Sequence, residues 1–184
     1  MSTALVTVAE MGDKTQLLSF VLAATLRKPA AILAGILVAT LANHALAGGA
    51  GYLLSGVLSR DIMSWVAGIA FIAFGLWALK PDSFERKPRM LKAGAFATAC
   101  LAFFLAEMAD KTQFATITLA ARYHALVSVV LGTTLGMMLA NLPAVWIGEK
   151  LAQRLPLRTL RIFAALLFVA LGVATLAGPV SRLS

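Results

Sequence analysis

Ala9-Glu10-Met11-Gly12-Asp13-Lys14-Thr15-Gln16 returns as Ala106-Glu107-Met108-Ala109-Asp110-Lys111-Thr112-Gln113, with seven of eight positions identical at an offset of 97 residues. Chance does not give such a match, even in a biased composition. The relation runs on past the motif. Leu41-Ala42-Asn43 answers Leu139-Ala140-Asn141 at an offset of 98, and Phe71, Ala73, Gly75 and Leu79 answer Phe168, Ala170, Gly172 and Leu176 at 97. The chain is therefore two related halves, 1–80 and 93–184, joined by residues 81–92.

The motifs lie in an apolar chain. Of its 184 residues 60% are hydrophobic and 13% charged, and the mean hydropathy is +0.88, which belongs to membrane proteins and not to soluble domains. A bilayer core takes about 20 apolar residues in a helix. Six stretches approach that length: Thr3–Leu26, Ala30–Leu54, Ile62–Leu79, Ala93–Ala121, Ala125–Ile147 and Thr159–Leu176. Three spans per half is an odd number, so the second half enters the membrane from the opposite side. The expected fold is an all-α integral membrane protein of six transmembrane helices, arranged as two inverted three-helix repeats. Such repeats place transport sites near the midplane where the halves meet.

The net charge of +8 does not point to nucleic acid, because the basic residues sit in the breaks between apolar stretches and not in a patch interleaved with aromatics. Their sides are unequal. The 1–2, 3–4 and 5–6 connections carry eleven Lys and Arg; the other connections and the C-terminal tail carry only Arg60, Arg122 and Arg182. The excess faces the cytoplasm, which puts both termini outside. The first apolar run has no positive region before it and reads as part of the mature chain. The lone Cys100 allows no intrachain disulfide and reads as a small packed hydrophobe.

Lys14 and Lys111 belong to neither side: they lie within spans, with Glu10, Asp13, Glu107 and Asp110. Each charge near the bilayer centre costs roughly 3 kcal/mol, so six left unpaired cost on the order of 15–20 kcal/mol. An ornamental role is excluded at that cost. On a continuous helix Glu10, Asp13 and Lys14 share one face, with Gln16 at its edge and Thr15 turned toward the backbone of the preceding turn. Glu107, Asp110, Lys111, Gln113 and Thr112 repeat the arrangement. Two such faces meeting about a pseudo-two-fold axis bring four carboxylates and two amides together. Oxygen ligands of this kind suit Mg²⁺, Ca²⁺ or Mn²⁺. Each motif carries two negative charges and one positive, so the pair sums to −2. One divalent cation or two protons neutralises it, which predicts exchange of one metal ion for about two protons.

The doubled E-x-G-D-K-T motif in a six-span chain resembles the cation exchanger family of Golgi calcium/manganese transporters and bacterial MneA-type manganese exporters, over the whole length of the chain. The resemblance implies a cation site made of Glu10, Asp13, Glu107 and Asp110. A chain of bacterial length without a long acidic loop is most similar to the manganese-exporting members. It implies a plasma-membrane transporter exporting Mn²⁺ against protons, with no prosthetic group, and with Ca²⁺/H⁺ exchange as the runner-up. Ala109 departs from the pattern's glycine. Gly12 is free to let its helix bend, and Ala109 much less so.

Other residues have more ordinary readings. Lys14 and Lys111 either pair with Glu10 and Glu107 one turn back or gate the site. Asn43 and Asn141 sit mid-span at matched positions, as interhelical hydrogen bonds or as part of the site. His44 reads as packed and hydrogen-bonded, Met11 and Met108 as core. Gly132 and Gly136, and the group Gly48, Gly49 and Gly51, read as close-packing positions. Glu149 reads as half of a surface pair with Lys150. Two other classes fit less well. An intramembrane aspartyl enzyme needs two carboxylates and no lysines, and an organic-cation carrier needs aromatic walls that the acids here lack.

Overall fold

The computed structural model describes residues 2–57, 59–80, 91–108, 110–147 and 157–180, and among them the secondary structure is entirely helical. The helices are α1 (Ser2–Glu10), α2 (Lys14–Leu26), α3 (Pro29–Ser55), α4 (Arg60–Ala78), α5 (Ala95–Glu107), α6 (Lys111–Tyr123), α7 (Leu126–Ile147) and α8 (Leu157–Val180). Most of the 81–92 connection, Ala109, and the Glu149–Lys150 pair lie outside the described residues.

Local chemistry sets the ends. Pro29 opens α3 where its missing N–H is no loss. The Ser59 hydroxyl caps α4 by accepting from the Ile62 N–H. α2 and α6 end on left-handed residues 97 positions apart, Arg27 and His124, both at φ 51°, whose N–H groups return to the carbonyls of Ala23 and Ala120. The repeat seen in the sequence is thus also a repeat of backbone conformation.

Two expected spans are corrected. Thr3–Leu26 and Ala93–Ala121 are not continuous helices. Each breaks at its motif, into α1 and α2 and into α5 and α6. In the first, Gly12 takes φ +86° and Asp13 is extended at φ −86°, ψ 169°. In the second, Met108 (ψ 123°) and Asp110 (φ −87°, ψ 165°) are extended. The N–H groups of Asp13 and Asp110 close each break by donating to the Glu10 and Glu107 carbonyls at 3.1 Å. In the first break glycine supplies the left-handed turn that an L side chain resists.

The main packing joins the two halves. α4 lies along α8, α3 along α5 and α6, and α7 along α1, α2 and α3, while α2–α3 and α6–α7 touch little. Small residues let these helices approach. A Cβ at Gly136 would sit 2.6 Å from the Thr3 carbonyl oxygen, Gly132 faces Ser2, and Gly48 faces Val130. Gly51 is tightest, with the Ile117 carbonyl of α6 filling the place of its missing side chain. That obstacle is backbone and cannot rotate away. Gly51→Ala is therefore expected to cost about 1–3 kcal/mol by overpacking, seen as a lower melting temperature in detergent. Gly49→Ala, which meets nothing within 4 Å, is the matched control and should melt like the wild type.

Among the described residues the interior has two apolar clusters. One holds Leu5 and Ala9 of α1 with Phe71, Leu119 and Phe168. The other holds Leu18 and Leu22 of α2 with Ile32, Ile36 and Phe103. Cys100 packs at the edge of the second, as expected for a small hydrophobe. The first motif leads from one cluster to the other and the second leads back, so both breaks lie between the two apolar layers.

The outer surface is apolar as well. Leu46, Leu53, Val127, Trp146 and Leu166 are each more than 60% exposed. In water such a surface drives association; against hydrocarbon it matches its solvent. Among the described residues, three helices are long and apolar enough to cross a membrane: Pro29–Ser55, Asp61–Ala78 and Leu126–Trp146. The protein is a helical membrane protein.

Candidate cation site

Breaking the helices changes which residues meet. Glu10 and Glu107 end α1 and α5, while Asp13 and Asp110 precede α2 and α6. The shared helical face expected for Glu10, Asp13 and Lys14 does not exist, because the chain turns between them. Helix C-termini carry partial negative charge. The ends of α1 and α5 therefore add to their own glutamates in favouring a cation.

All four acids are buried, at 0–3% exposure. One oxygen from each of Glu10, Glu107 and Asp110 can be chosen so that all three lie within 4.8 Å of one another. Oxygens around one Mn²⁺, Mg²⁺ or Ca²⁺ ion at about 2.0–2.6 Å span this range. Asp13, the fourth acid expected to join them, stands outside this group and is held by Lys111 at 2.5 Å.

The lysine pairing is also corrected. Neither lysine pairs with the glutamate four residues back, since no helical turn connects them. Each reaches across to the aspartate of the other half: Lys14 to Asp110 at 2.9 Å, and Lys111 to Asp13. The expectation for Thr15 fails for the same reason. Its hydroxyl donates to Glu10 Oε2 at 2.6 Å, and the Thr112 hydroxyl crosses from the second half to Glu10 Oε1. Glu10 thus accepts two hydroxyl bonds. Both oxygens of Glu107 are buried without a hydrogen-bond partner among the described residues, as is Asp110 Oδ2. Buried carboxylate oxygens without donors are costly and call for an explanation.

Gln16 supports the first break. Its carbonyl accepts from the Gly12 N–H at 2.8 Å, and its amide donates to the Ala140 carbonyl at 3.0 Å, tying the turn to α7. Gln113 is half-buried. Asn43 donates to the Phe104 carbonyl of α5, one turn before Glu107, and Asn141 accepts from Ser19 of α2 at 2.6 Å. Both asparagines are interhelical bonds outside the acidic group. Ser19 was not singled out from the sequence, although a polar residue one turn beyond Gln16 in an apolar helix was a usable signal. His44 is buried and lies 3.4 Å from the Thr134 hydroxyl, packed as expected. Met108 is corrected: it is 51% exposed and not core.

A sequence model of the divalent cation/proton antiporter family GDT1 matches residues 1–86 and 95–182, the two stretches that carry the two motifs. The chain belongs to the GDT1 family. This family is one of antiporters, not enzymes, and the resemblance drawn from the motif is to the same proteins. Among individual relatives, the GDT1-family chain is 47% identical over 171 residues to a Vibrio cholerae protein named "Putative manganese exporter", covering 92% of this chain and 86% of that one. It is 28% identical over 202 residues to GDT1-like protein 3 of Oryza sativa subsp. indica, covering 95% and 71%. It is 27% identical over 219 residues to GDT1-like protein 5 of Arabidopsis thaliana, covering 97% and 95%. No solved structure matches the chain.

Proposed function

We propose that this GDT1-family protein exports Mn²⁺ from the cytoplasm in exchange for protons, through a site at the bilayer midplane built from Glu10, Glu107 and Asp110. The observation that carries this is the buried group of three carboxylates with both Glu107 oxygens lacking a donor. A divalent cation supplies the missing partner, and protons supply it when the metal has left. The setting between two apolar layers, at the ends of broken helices, agrees with how transporters place coupling-ion sites. In this reading the helices form six spans, with α1–α2 and α5–α6 each one broken span, and the halves are inverted repeats. The distribution of Lys and Arg then puts both termini outside a plasma membrane. Manganese is favoured by the name of the Vibrio relative. Oxygen ligands alone leave Ca²⁺/H⁺ exchange as the alternative.

The test is Mn²⁺ and Ca²⁺ uptake into inverted membrane vesicles under an imposed proton gradient, for wild type, Asp13→Asn and Asp110→Asn. The expected result is Mn²⁺ uptake, little Ca²⁺ uptake, and loss of transport in both variants. The first substitution frees the buried Lys111 ammonium, and the second removes a ligand. Equal Ca²⁺ movement would reassign the substrate to divalent cations generally. Wild-type transport by both variants would remove the carboxylate site.

A further inference from the structure

The two motifs are nearly identical in sequence, yet their two ion pairs are not equivalent. Lys111 is buried, its side chain 4% exposed, and it holds Asp13, which lies outside the three-carboxylate group. The Lys14 side chain is 25% exposed, and it holds Asp110, which lies inside that group. Only one oxygen of Asp110 is used: Lys14 bonds Oδ1, and Oδ2 has no partner among the described residues. One lysine therefore competes directly for a cation ligand and has an exposed edge to withdraw to. The other is ion-paired with an aspartate that is not one of the three and has little exposed surface to withdraw to.

We propose that Lys14 is the displaceable counter-ion of the cation site, holding Asp110 when no metal is bound and withdrawing toward its exposed side when a divalent cation arrives, while Lys111 and Asp13 stay paired as a fixed strut. This rests on the reading of Glu10, Glu107 and Asp110 as the cation site. The physics is competition between like charges. A divalent ion beside Glu10 and Glu107 repels an ammonium on a shared carboxylate twice as strongly as a monovalent ion does, and the low dielectric of the interior sharpens that repulsion. A lysine has the right properties for the task. Its charge is a compact point on a flexible stem that leaves and returns as one unit. Its place is also explained. Lys14 and Lys111 are the first residues of α2 and α6, where the helix dipole disfavours a cation, so the carboxylates and not the helices hold them there. Exchange between ammonium and metal keeps Asp110 beside a cation throughout the cycle. It also sets metal affinity below what three free carboxylates would give, which favours release.

The experiment has two parts. Mn²⁺ binding is measured in detergent by metal-dependent thermal stabilisation, for wild type, Lys14→Gln, Lys111→Gln and Glu107→Gln. Transport is measured for the same variants, for each single charge change, and for two charge exchanges, Asp13→Lys with Lys111→Asp and Lys14→Asp with Asp110→Lys. Lys14→Gln should bind Mn²⁺ on the order of tenfold more tightly and transport more slowly at saturating metal, because release is slowed. Lys111→Gln should show no tightening. Exchanging Asp13 and Lys111 should restore transport relative to either single change, and exchanging Lys14 and Asp110 should not, since an ammonium would then replace a ligand. Equal tightening by both lysine variants, no tightening in Lys14→Gln, or transport restored by the Lys14–Asp110 exchange would overturn the proposal. If instead Glu107→Gln binds and transports like wild type, the cation-site reading itself falls, and that outcome is separate from the others.

Discussion

Glu107→Gln is expected to abolish Mn²⁺ transport and to leave the protein at least as heat-stable as the wild type. The two effects have one cause. Glu107 ends α5 fully buried, and neither of its oxygens accepts a hydrogen bond among the described residues. Glu10 and Asp110 stand beside it, each with an oxygen within 4.8 Å of one of its own. Without metal or proton this is a desolvated charge next to like charges, which costs on the order of 1–3 kcal/mol or more. A neutral amide of the same shape removes that cost. It also removes the charge a divalent ion needs and the group a proton can occupy. Stability and activity thus move apart, as they do where a site is kept unsatisfied for function. Glu10→Gln should gain less in heat stability, because Glu10 already accepts from Thr15 and Thr112. Vesicle transport and melting in detergent check both statements. Transport by Glu107→Gln near the wild-type rate would sink the assignment. A variant that is inactive because it no longer folds would refute the stability argument.

Residues 1–80 or 93–184 expressed alone should fail to accumulate, and the two expressed together should assemble and transport. The helices of each half touch one another little, and their main partners lie in the other half: α8 for α4, α5 and α6 for α3, and α7 for α1 and α2. A single half would expose the Gly51 face that receives the Ile117 carbonyl. It would also leave the buried Asp13 without Lys111, and the other half would leave the buried Asp110 without Lys14. Breaking a buried ion pair by removing one partner costs about 3–5 kcal/mol, and each half alone breaks the buried Lys111–Asp13 pair as well as the partly exposed Lys14–Asp110 pair. The measurement is the abundance of each half in membranes, then copurification of one with a tag on the other. A stable, soluble-in-detergent monomer of either half would show that the repeats are independent units.

Much of this was legible in the sequence. The repeat, the helical membrane class and the identity of the buried charges follow from one-dimensional facts: an offset of 97, the length of apolar runs, and the cost of charge in hydrocarbon. The geometry of the motif was not. Helical periodicity assumes an unbroken helix, and a chain that leaves the helix for three residues loses it. Gly12 and the helix-capping tendency of Asp13 were the available signals for a break. In the second motif Ala109 gave no such signal, yet α5 ends at Glu107 all the same.

The sequence by itself determined which side chains had to be satisfied inside the membrane, because the cost of an unpaired charge there does not depend on the fold. Only the tertiary structure decided who satisfies whom. It sent Lys14 to Asp110 and Lys111 to Asp13, gave both threonine hydroxyls to Glu10, and left Glu107 with none among the described residues. Apart from the Thr15–Glu10 bond, which lies within the first break, those pairings run between residues about 100 positions apart, and they depend on two broken helices facing each other. Nothing local in the chain encodes that approach. It is set by the packing of α3, α4 and α7 against helices of the opposite half.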